Sequence, residues 1–431
     1  MIMNAGAAVP VLVDHAPDDA VIWHQGRGVT AAEIIARAHA LARALPRSRY
    51  AINVCDSRQN FLMAFLAAAQ RAQVSLLPPS RAPQAVRELQ DAYPDHCLLT
   101  DAVVVAAAGR QESLAPLAIV APDPVAIAFT SGSTGRAEGH PKAWSTLLAT
   151  AKLARERLLP DCARFHVVAT VPPQHMYGFE TTITLILLSG SAVSDGRPLF
   201  PADIAAELAS VPAPRVLVTT PAHLRACVAD AVRFPPIQLI ISATAPLDRE
   251  LAAAAEGQWS TRVFEIFGCT EAGSMASRRT VESDYWFTYP GAWVEPLAAG
   301  AVYHGRHLSE PVQLQDILEL KSPHRFRLIG RSADMVKVAG KRVSLAELTR
   351  RLLELPGVKD GVIFVPRPEA RPAALVVAQG TSRAEILAAL ADQLDPVFVP
   401  RPLVLVDRLP RNETGKIPRA ALLAAIGENH G

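Results

Sequence analysis

Short apolar runs alternate along the first 330 residues with alanine- and leucine-rich stretches of helical spacing. Polar turns containing glycine or proline separate them. Thr30-Ala31-Ala32-Glu33 is a capping-box pattern ahead of a helix running to Leu45. Residues 51–54 form a strand, 60–72 a helix, and 74–79 a strand ending in two prolines. Further strands are expected at 125–129, 165–171, 215–220, 239–242 and 263–267, with helices at 144–157 and 221–231. This alternation predicts an α/β fold: a large N-terminal domain of layered, mainly parallel sheets with covering helices. Residues 280–312 read as irregular and aromatic.

From Ser332 the pattern changes. Residues 334–343 read as a hairpin, and 344–355 as a helix opened by the capping box Ser344-Leu345-Ala346-Glu347. Strands at 361–366, 373–378 and 403–406 and a helix at 382–394 complete an α+β unit. The expected domains are therefore 1–331 and a small C-terminal domain, 332–431.

Length and composition narrow the classes. The 431 residues are enough for two or more domains. A net charge of +2 gives no bias toward nucleic acid or an anionic membrane. No apolar run is long enough to span a bilayer. The N-terminus lacks a basic segment, so no secretory signal is expected and a cytoplasmic location is. The five cysteines are scattered and form no Cys-x-x-Cys, which fits a reducing compartment without disulfides or a zinc site.

The candidate chemistry centres on Phe129-Thr130-Ser131-Gly132-Ser133-Thr134-Gly135. A buried strand breaks here into hydroxyl residues and glycines. Glycines let the backbone approach a ligand, and successive free N–H groups make an anion nest. Lys142 adds a positive charge. The loop is neither a Walker A sequence nor a dinucleotide fingerprint. By itself it reads as a polyphosphate cradle or as a surface linker.

Other strand ends carry further candidates. The segment Pro172-Pro173-Gln174-His175-Met176-Tyr177-Gly178 follows a strand, where His175 lines a pocket or is an ordinary loop histidine. Ser242-Ala243-Thr244-Ala245-Pro246-Leu247 is a small-residue turn against which a ligand can lie. After the 263–267 strand come Gly268-Cys269-Thr270-Glu271. Thr270 can bond a phosphate, and Glu271 is a carboxylate suited to a nucleotide's magnesium. Cys269 lacks a neighbouring base and reads as a small pocket residue. Asp316 suits a ribose diol and Arg331 the same sugar or a phosphate, although taken singly each reads as a surface charge. So does Lys416, in Thr414-Gly415-Lys416-Ile417-Pro418-Arg419.

These pieces, in this order, resemble the adenylate-forming superfamily of acyl- and aryl-CoA synthetases, nonribosomal-peptide adenylation domains and luciferases. The resemblance covers about residues 20–425. It rests on Thr130–Gly135, Ser242–Leu247, Phe267–Glu271, Gly330-Arg331 through Gly340-Lys341-Arg342-Val343, and Thr414–Arg419. It implies two half-reactions. A small carboxylic acid attacks the α-phosphate of Mg-ATP, giving an acyl-adenylate and pyrophosphate. The thiol of coenzyme A or of an acyl carrier protein phosphopantetheine then takes the acyl group.

By the same resemblance, Thr130, Ser131, Gly132, Ser133, Thr134, Gly135 and Lys142 hold the β- and γ-phosphates. Thr270 contacts the α-phosphate and Glu271 holds Mg2+. Asp316 and Arg331 hold the ribose. Ser242, Ala243, Thr244, Phe267 and Gly268 frame the adenine. Lys416 bridges carboxylate and phosphate, and His175, Tyr177, Gly178 and Cys269 line the acyl pocket. The usual Pro-Lys-Gly after the loop is replaced by Arg136-Ala137-Glu138-Gly139-His140-Pro141-Lys142. The pivot position two residues after Arg331 is Ala333, with Asp334 next. These departures and the short 296–313 region resemble the compact aryl-acid-activating ligases of bacterial aryl-polyene and xanthomonadin pigment pathways. That likeness implies a hydroxybenzoate-type acid (3- or 4-hydroxybenzoate) loaded onto a carrier protein, which basic residues Arg342, Arg350 and Arg351 would suit. The alternatives are an acyl-CoA synthetase for a short or medium acyl or aryl acid, and a non-catalytic adenylate-binding relative.

Overall fold

The computed structural model describes residues 9–107, 118–119, 124–131, 137–297, 300–314, 316–331, 335–338, 341–367, 370–411 and 417–427. By contact density the chain divides into two compact units. The first is residues 1–292 with 305–310, and the second 293–304 with 311–431. The boundary expected at 331–334 lies within the second unit.

The first unit holds a two-stranded pair, Val9–Pro10 with Ala118–Ile119, and two larger sheets. In one, strands His96–Leu99, Tyr50–Asn53, Val74–Leu77 and Ala126–Ser131 run parallel, and Ala137–Lys142 closes the edge antiparallel. In the other, Ala192–Ser194, His166–Ala169, Arg215–Thr219, Leu239–Ser242 and Val263–Cys269 form a parallel centre. Antiparallel Gly273–Arg279 and Trp286–Thr288 follow on one side, and Ala20–His24 with Arg27–Thr30 on the other.

The helix Arg58–Gln70 explains the layering. Phe61 to Ala69 are all buried, so it is apolar all round. Its side chains share one core with Leu77 and Ala128 of the first sheet and Val167 and Val218 of the second. Arg58 lies at its N-terminus, 1% exposed. Its guanidinium donates to the carbonyls of Ser194 (2.6 Å), Gly196 (2.8 Å) and Val171 (3.0 Å). The helix is thereby tied to the C-terminal ends of two strands.

The expected elements of this unit are present within a few residues. Thr30 caps the helix Ala31–Ala44 through a reciprocal bond with Glu33. Trp23 packs edge-on against His166 and His24 pairs with Asp195. Two segments differ. Residues 137–142 form a strand, paired antiparallel with Ala126–Ser131. Residues 280–312, which run into the second unit, include the strands Trp286–Thr288, Ala292–Pro296 and Ala301–Gly305. Trp286, Tyr289 and Tyr303 are buried, and that apolar area orders a segment whose polar residues read as loop.

In the second unit, Asp316–Ser322 pairs with Arg325–Arg331 and Met335–Val338 with Lys341–Ser344. Helices Leu345–Leu353 and Arg383–Gln393 pack with strands Val358–Phe364, Ala373–Ala378 and Leu403–Leu405 around Leu348, Leu352, Val376, Ile386 and Leu390. Among the described residues no helix is long and apolar enough to cross a membrane. All five cysteines are free.

Candidate active site

Parallel strands deliver their C-terminal ends to one edge of the sheet, where the connecting turns can close around a ligand. Thr219, Ser242 and Glu265 lie in register on neighbouring strands at that edge. Tyr177, from the turn after His166–Ala169, places its phenol oxygen 3.1 Å from the Thr219 carbonyl and 2.9 Å from the Ile241 carbonyl. Its ring is thus pinned across two strand ends, and burial holds the phenol well above its ordinary pKa. Gly178 follows it because a Cβ there would sit 2.0 Å from the Pro172 carbonyl oxygen. His175 is half-buried at the start of the short helix Met176–Phe179.

The turn after Leu239–Ser242 is cut to take something against its backbone. Ser242 is fully buried and its hydroxyl has no hydrogen-bond partner. Ala243 is buried, and Thr244 takes φ +79°, a conformation that side chains larger than glycine adopt at a cost. Glu265 braces this turn from the next strand. Its carboxylate accepts the Leu247 N–H (2.9 Å) and pairs with Arg278 (2.7 Å).

The neighbouring turn, 269–274, carries the charge. Phe267 packs its ring 5.5 Å from that of Trp286. At Gly268 a Cβ would meet the Gly273 carbonyl oxygen at 2.5 Å. Burial pushes the Cys269 thiol up to about 12, so it is not a nucleophile at neutral pH. Thr270 is half-buried, whereas Glu271 is exposed. Desolvation raises the Glu271 pKa, but its own backbone N–H, the Cys269 thiol, and the His140 and Lys142 charges outweigh it and leave the group below the usual carboxylate value. An ionised, outward carboxylate of this kind is a hard oxygen ligand. Magnesium is ordinarily held by one or two such carboxylates together with substrate phosphates, so the donor set fits Mg-ATP. The orphaned Ser242 hydroxyl fits a polar ligand lying on its turn.

Lys142 stands at the far end of the hairpin from the loop, opposite Ala126. Its ammonium donates to the Glu271 carbonyl at 2.6 Å, and the side chain is buried. Nearer the loop, His140 lies 3.2 Å from the Thr130 hydroxyl. Glu180, in the helical turn beyond Gly178, is buried and accepts the Ser274 N–H (3.0 Å) and the Ser274 hydroxyl. Sequence reasoning missed His140 and Glu180. A lone carboxylate among the otherwise uncharged residues 176–194 was the available signal.

In the second unit, Asp316 is buried, and its Cα partner across the hairpin is Arg331, so the two residues expected to hold a ribose share one rung. Arg350 pairs with Glu354 and Arg351 donates to the Gln393 carbonyl. Gly132, Ser133, Thr134, Gly135, Ala333, Asp334 and Lys416 lie outside the described residues. So do the side chains of Ser131, Arg331, Arg342 and Glu347.

The profile of the AMP-binding enzyme matches residues 46–296, and that of the AMP-binding enzyme C-terminal domain matches residues 349–416. The chain belongs to the AMP-binding, adenylate-forming enzyme family. It is 30% identical to a 4-coumarate–CoA ligase of Rhodobacter capsulatus over 54% of this chain, and spans 59% of that ligase. It is 28% identical to the 4-coumarate–CoA ligase of Halorhodospira halophila, covering 67% of this chain and 73% of the relative. With the 3,4-dihydroxybenzoate–[aryl-carrier protein] ligase of Bacillus anthracis it shares 22% identity over 70% of this chain and 74% of that one. The fold matches o-succinylbenzoate CoA synthetase from Bacillus subtilis bound to its acyl-adenylate intermediate, with TM-score 0.81, 16% identity, and 94% and 96% of the two chains covered. It also matches an ATP-bound enzyme, MatB, from Rhodopseudomonas palustris, with TM-score 0.78, 19% identity and coverage of 96% and 97%.

Proposed function

We propose that this AMP-binding enzyme is an ATP-dependent acid–thiol ligase that activates a small aryl carboxylic acid as its adenylate and transfers the acyl group to a thiol. The observation that carries the reading is the ionised Glu271 carboxylate at the strand edge, beside the braced turn 242–247 and the Tyr177 wall. Attack of a carboxylate on a polyphosphate needs alignment and charge neutralisation more than proton transfer. Magnesium, held by Glu271, supplies charge neutralisation on the phosphates. Thr270 contacts the α-phosphate, and the 130–135 loop cradles the rest, with His140 supporting Thr130. Ser242, Ala243, Thr244, Phe267 and Gly268 frame the adenine, and Asp316 with Arg331 holds the ribose. His175, Tyr177, Gly178 and Cys269 bound the acid. Lys416 bridges the attacking carboxylate and the α-phosphate, and the chain pivots at Ala333 or Asp334 between half-reactions.

A hydroxybenzoate-type acid passed to a carrier-protein phosphopantetheine is the favoured pairing, supported by the likeness to an aryl-carrier-protein ligase. Coenzyme A as acceptor is the second reading, supported by the likeness to 4-coumarate–CoA ligases. The test is ATP–pyrophosphate exchange across benzoate, hydroxybenzoates, coumarate and short fatty acids, followed by thioester formation with coenzyme A or holo carrier protein. Exchange with an aryl acid, lost in Lys416→Ala with ATP still bound, is the expected result. ATP binding without exchange for any acid would move the reading to a non-catalytic relative.

A further inference from the structure

Two charged side chains from distant segments are buried against the same turn. Lys142 is 4% exposed and Glu180 6%. Taking either charge out of water costs several kcal/mol unless it is paired and bonded. Lys142 uses its ammonium on the Glu271 carbonyl. Glu180 uses its carboxylate on the backbone and hydroxyl of Ser274. The two grip opposite ends of the segment 271–274. Each charge also acts on the other. Between them the turn has no slack: Gly273 takes φ +79°, and a Cβ there would lie 2.2 Å from Glu180 Oε1. The Cys269 sulfur accepts the Ala272 N–H and closes the turn from within.

We propose that Lys142 and Glu180 are a positioning pair that holds the 269–274 turn from beneath and so aims the Glu271 carboxylate at the magnesium of Mg-ATP. This rests on the ligase reading above, and on Glu271 as the magnesium ligand within it. Lys142 then touches no phosphate. It serves the phosphates through the backbone of the residue that holds their metal. Partners that orient a metal ligand in this way typically contribute about 10–100-fold to metal affinity.

The test is calorimetric titration of ATP with and without magnesium into the wild type and the variants Lys142→Met, Glu180→Ala, Glu180→Gln, Lys142→Met/Glu180→Ala and Glu271→Gln. The readout is the gain in ATP affinity that magnesium brings. Lys142→Met and Glu180→Ala should each lose about tenfold or more of that gain. Magnesium-free ATP affinity and acid KM should stay within threefold of wild type. Glu180→Gln, which keeps an oxygen for Ser274, should retain most of the gain. The double variant should lose no more than Lys142→Met alone, because both residues hold one turn. An unchanged gain in both single variants would overturn the inference, even if kcat falls. So would an equal loss of affinity for magnesium-free ATP, which would mean that Lys142 contacts phosphate directly. Either single variant suffices if the other fails to fold. Loss of the magnesium gain in Glu271→Gln alone overturns only this pair. Wild-type protein that binds no ATP overturns the ligase reading itself.

Discussion

Replacing Glu180 by glutamine should remove a specific, signed pH dependence of stability. Burial raises the Glu180 carboxyl from 4.5 to about 7, against the bonds from Ser274 and the charge of Lys142, which lower it. A carboxyl raised in the folded state binds its proton more tightly there than in the unfolded chain. Its stabilising contribution is complete below pH 4.5 and is lost as pH rises through about 7. The interval of roughly 2.5 pH units corresponds to about 3 kcal/mol. Glutamine keeps the shape and an acceptor for Ser274 but cannot titrate. The wild type should therefore lose about 3 kcal/mol relative to Glu180→Gln between pH 4.5 and 8.

The difference between the two proteins is the quantity to measure, because other groups titrate in the same window with either sign. Desolvation lowers His307 from 6.5 to about 4, and His166 and His223 are lowered by burial too. Those histidines stabilise the fold above pH 6.5 and lose that contribution as pH falls, opposite to Glu180. Glu265, raised by burial, has the same sign as Glu180. Lys142 is lowered from 10.5 by burial, so it destabilises the fold below that value in both proteins. Urea unfolding followed by tryptophan fluorescence at half-unit steps from pH 4.5 to 8 gives the difference curve. A flat difference would refute the argument. A difference rising with pH would mean that Lys142 and Ser274 win over desolvation and hold Glu180 ionised throughout.

Other substitutions test separate parts of the structure. Arg58→Met strips three strand-end carbonyls of a buried donor and should cost about 3–5 kcal/mol in urea unfolding, with Arg58→Lys restoring less than half. Gly178→Ala drives a methyl into the Pro172 carbonyl. It should cost about 1–3 kcal/mol and raise the acid KM more than the ATP KM in exchange assays. Cys269→Ala should keep exchange within a few-fold of wild type, and iodoacetamide at pH 7 should leave Cys269 unmodified by mass spectrometry, since its thiol stays protonated.

The elements were legible where apolar runs met recognisable boundaries. Leu239–Ser242 is an apolar run ending in a small residue, Val263–Cys269 is one interrupted only by Glu265, and Thr30 with Glu33 announced its helix. The hairpin strand Ala137–Lys142 was not legible, because Gly139 and Pro141 read against a strand. The fold admits them because this strand is an edge, where proline's missing N–H costs no ladder bond. The candidate residues at 242–247, 267–271 and 175–178 were visible as small or polar residues at strand ends. Their supports were not. Lys142 meets Glu271 across 129 residues and Glu180 meets Ser274 across 94, and no linear spacing encodes such pairings.

Three carboxylates near this edge show what the sequence alone left unsorted. The side chains of Glu180, Glu265 and Glu271 are chemically identical. Environment assigns them different work. Glu265 is buried, raised by desolvation, and bonded to the Leu247 N–H. Glu180 is buried, raised to about 7, and bonded to Ser274. Each braces the backbone of one turn. Glu271 alone faces solvent and is held below the usual carboxylate value. A site that must bind a divalent cation needs one such group kept charged and accessible, and it needs the backbone behind that group kept still. One residue does not meet both requirements here, because the two carboxylates buried to brace turns have their pKa values raised by that burial. Dividing them among three glutamates resolves the conflict. Replacing Glu180 or Glu265 should therefore displace a turn, whereas replacing Glu271 should remove a charge and leave both turns in place.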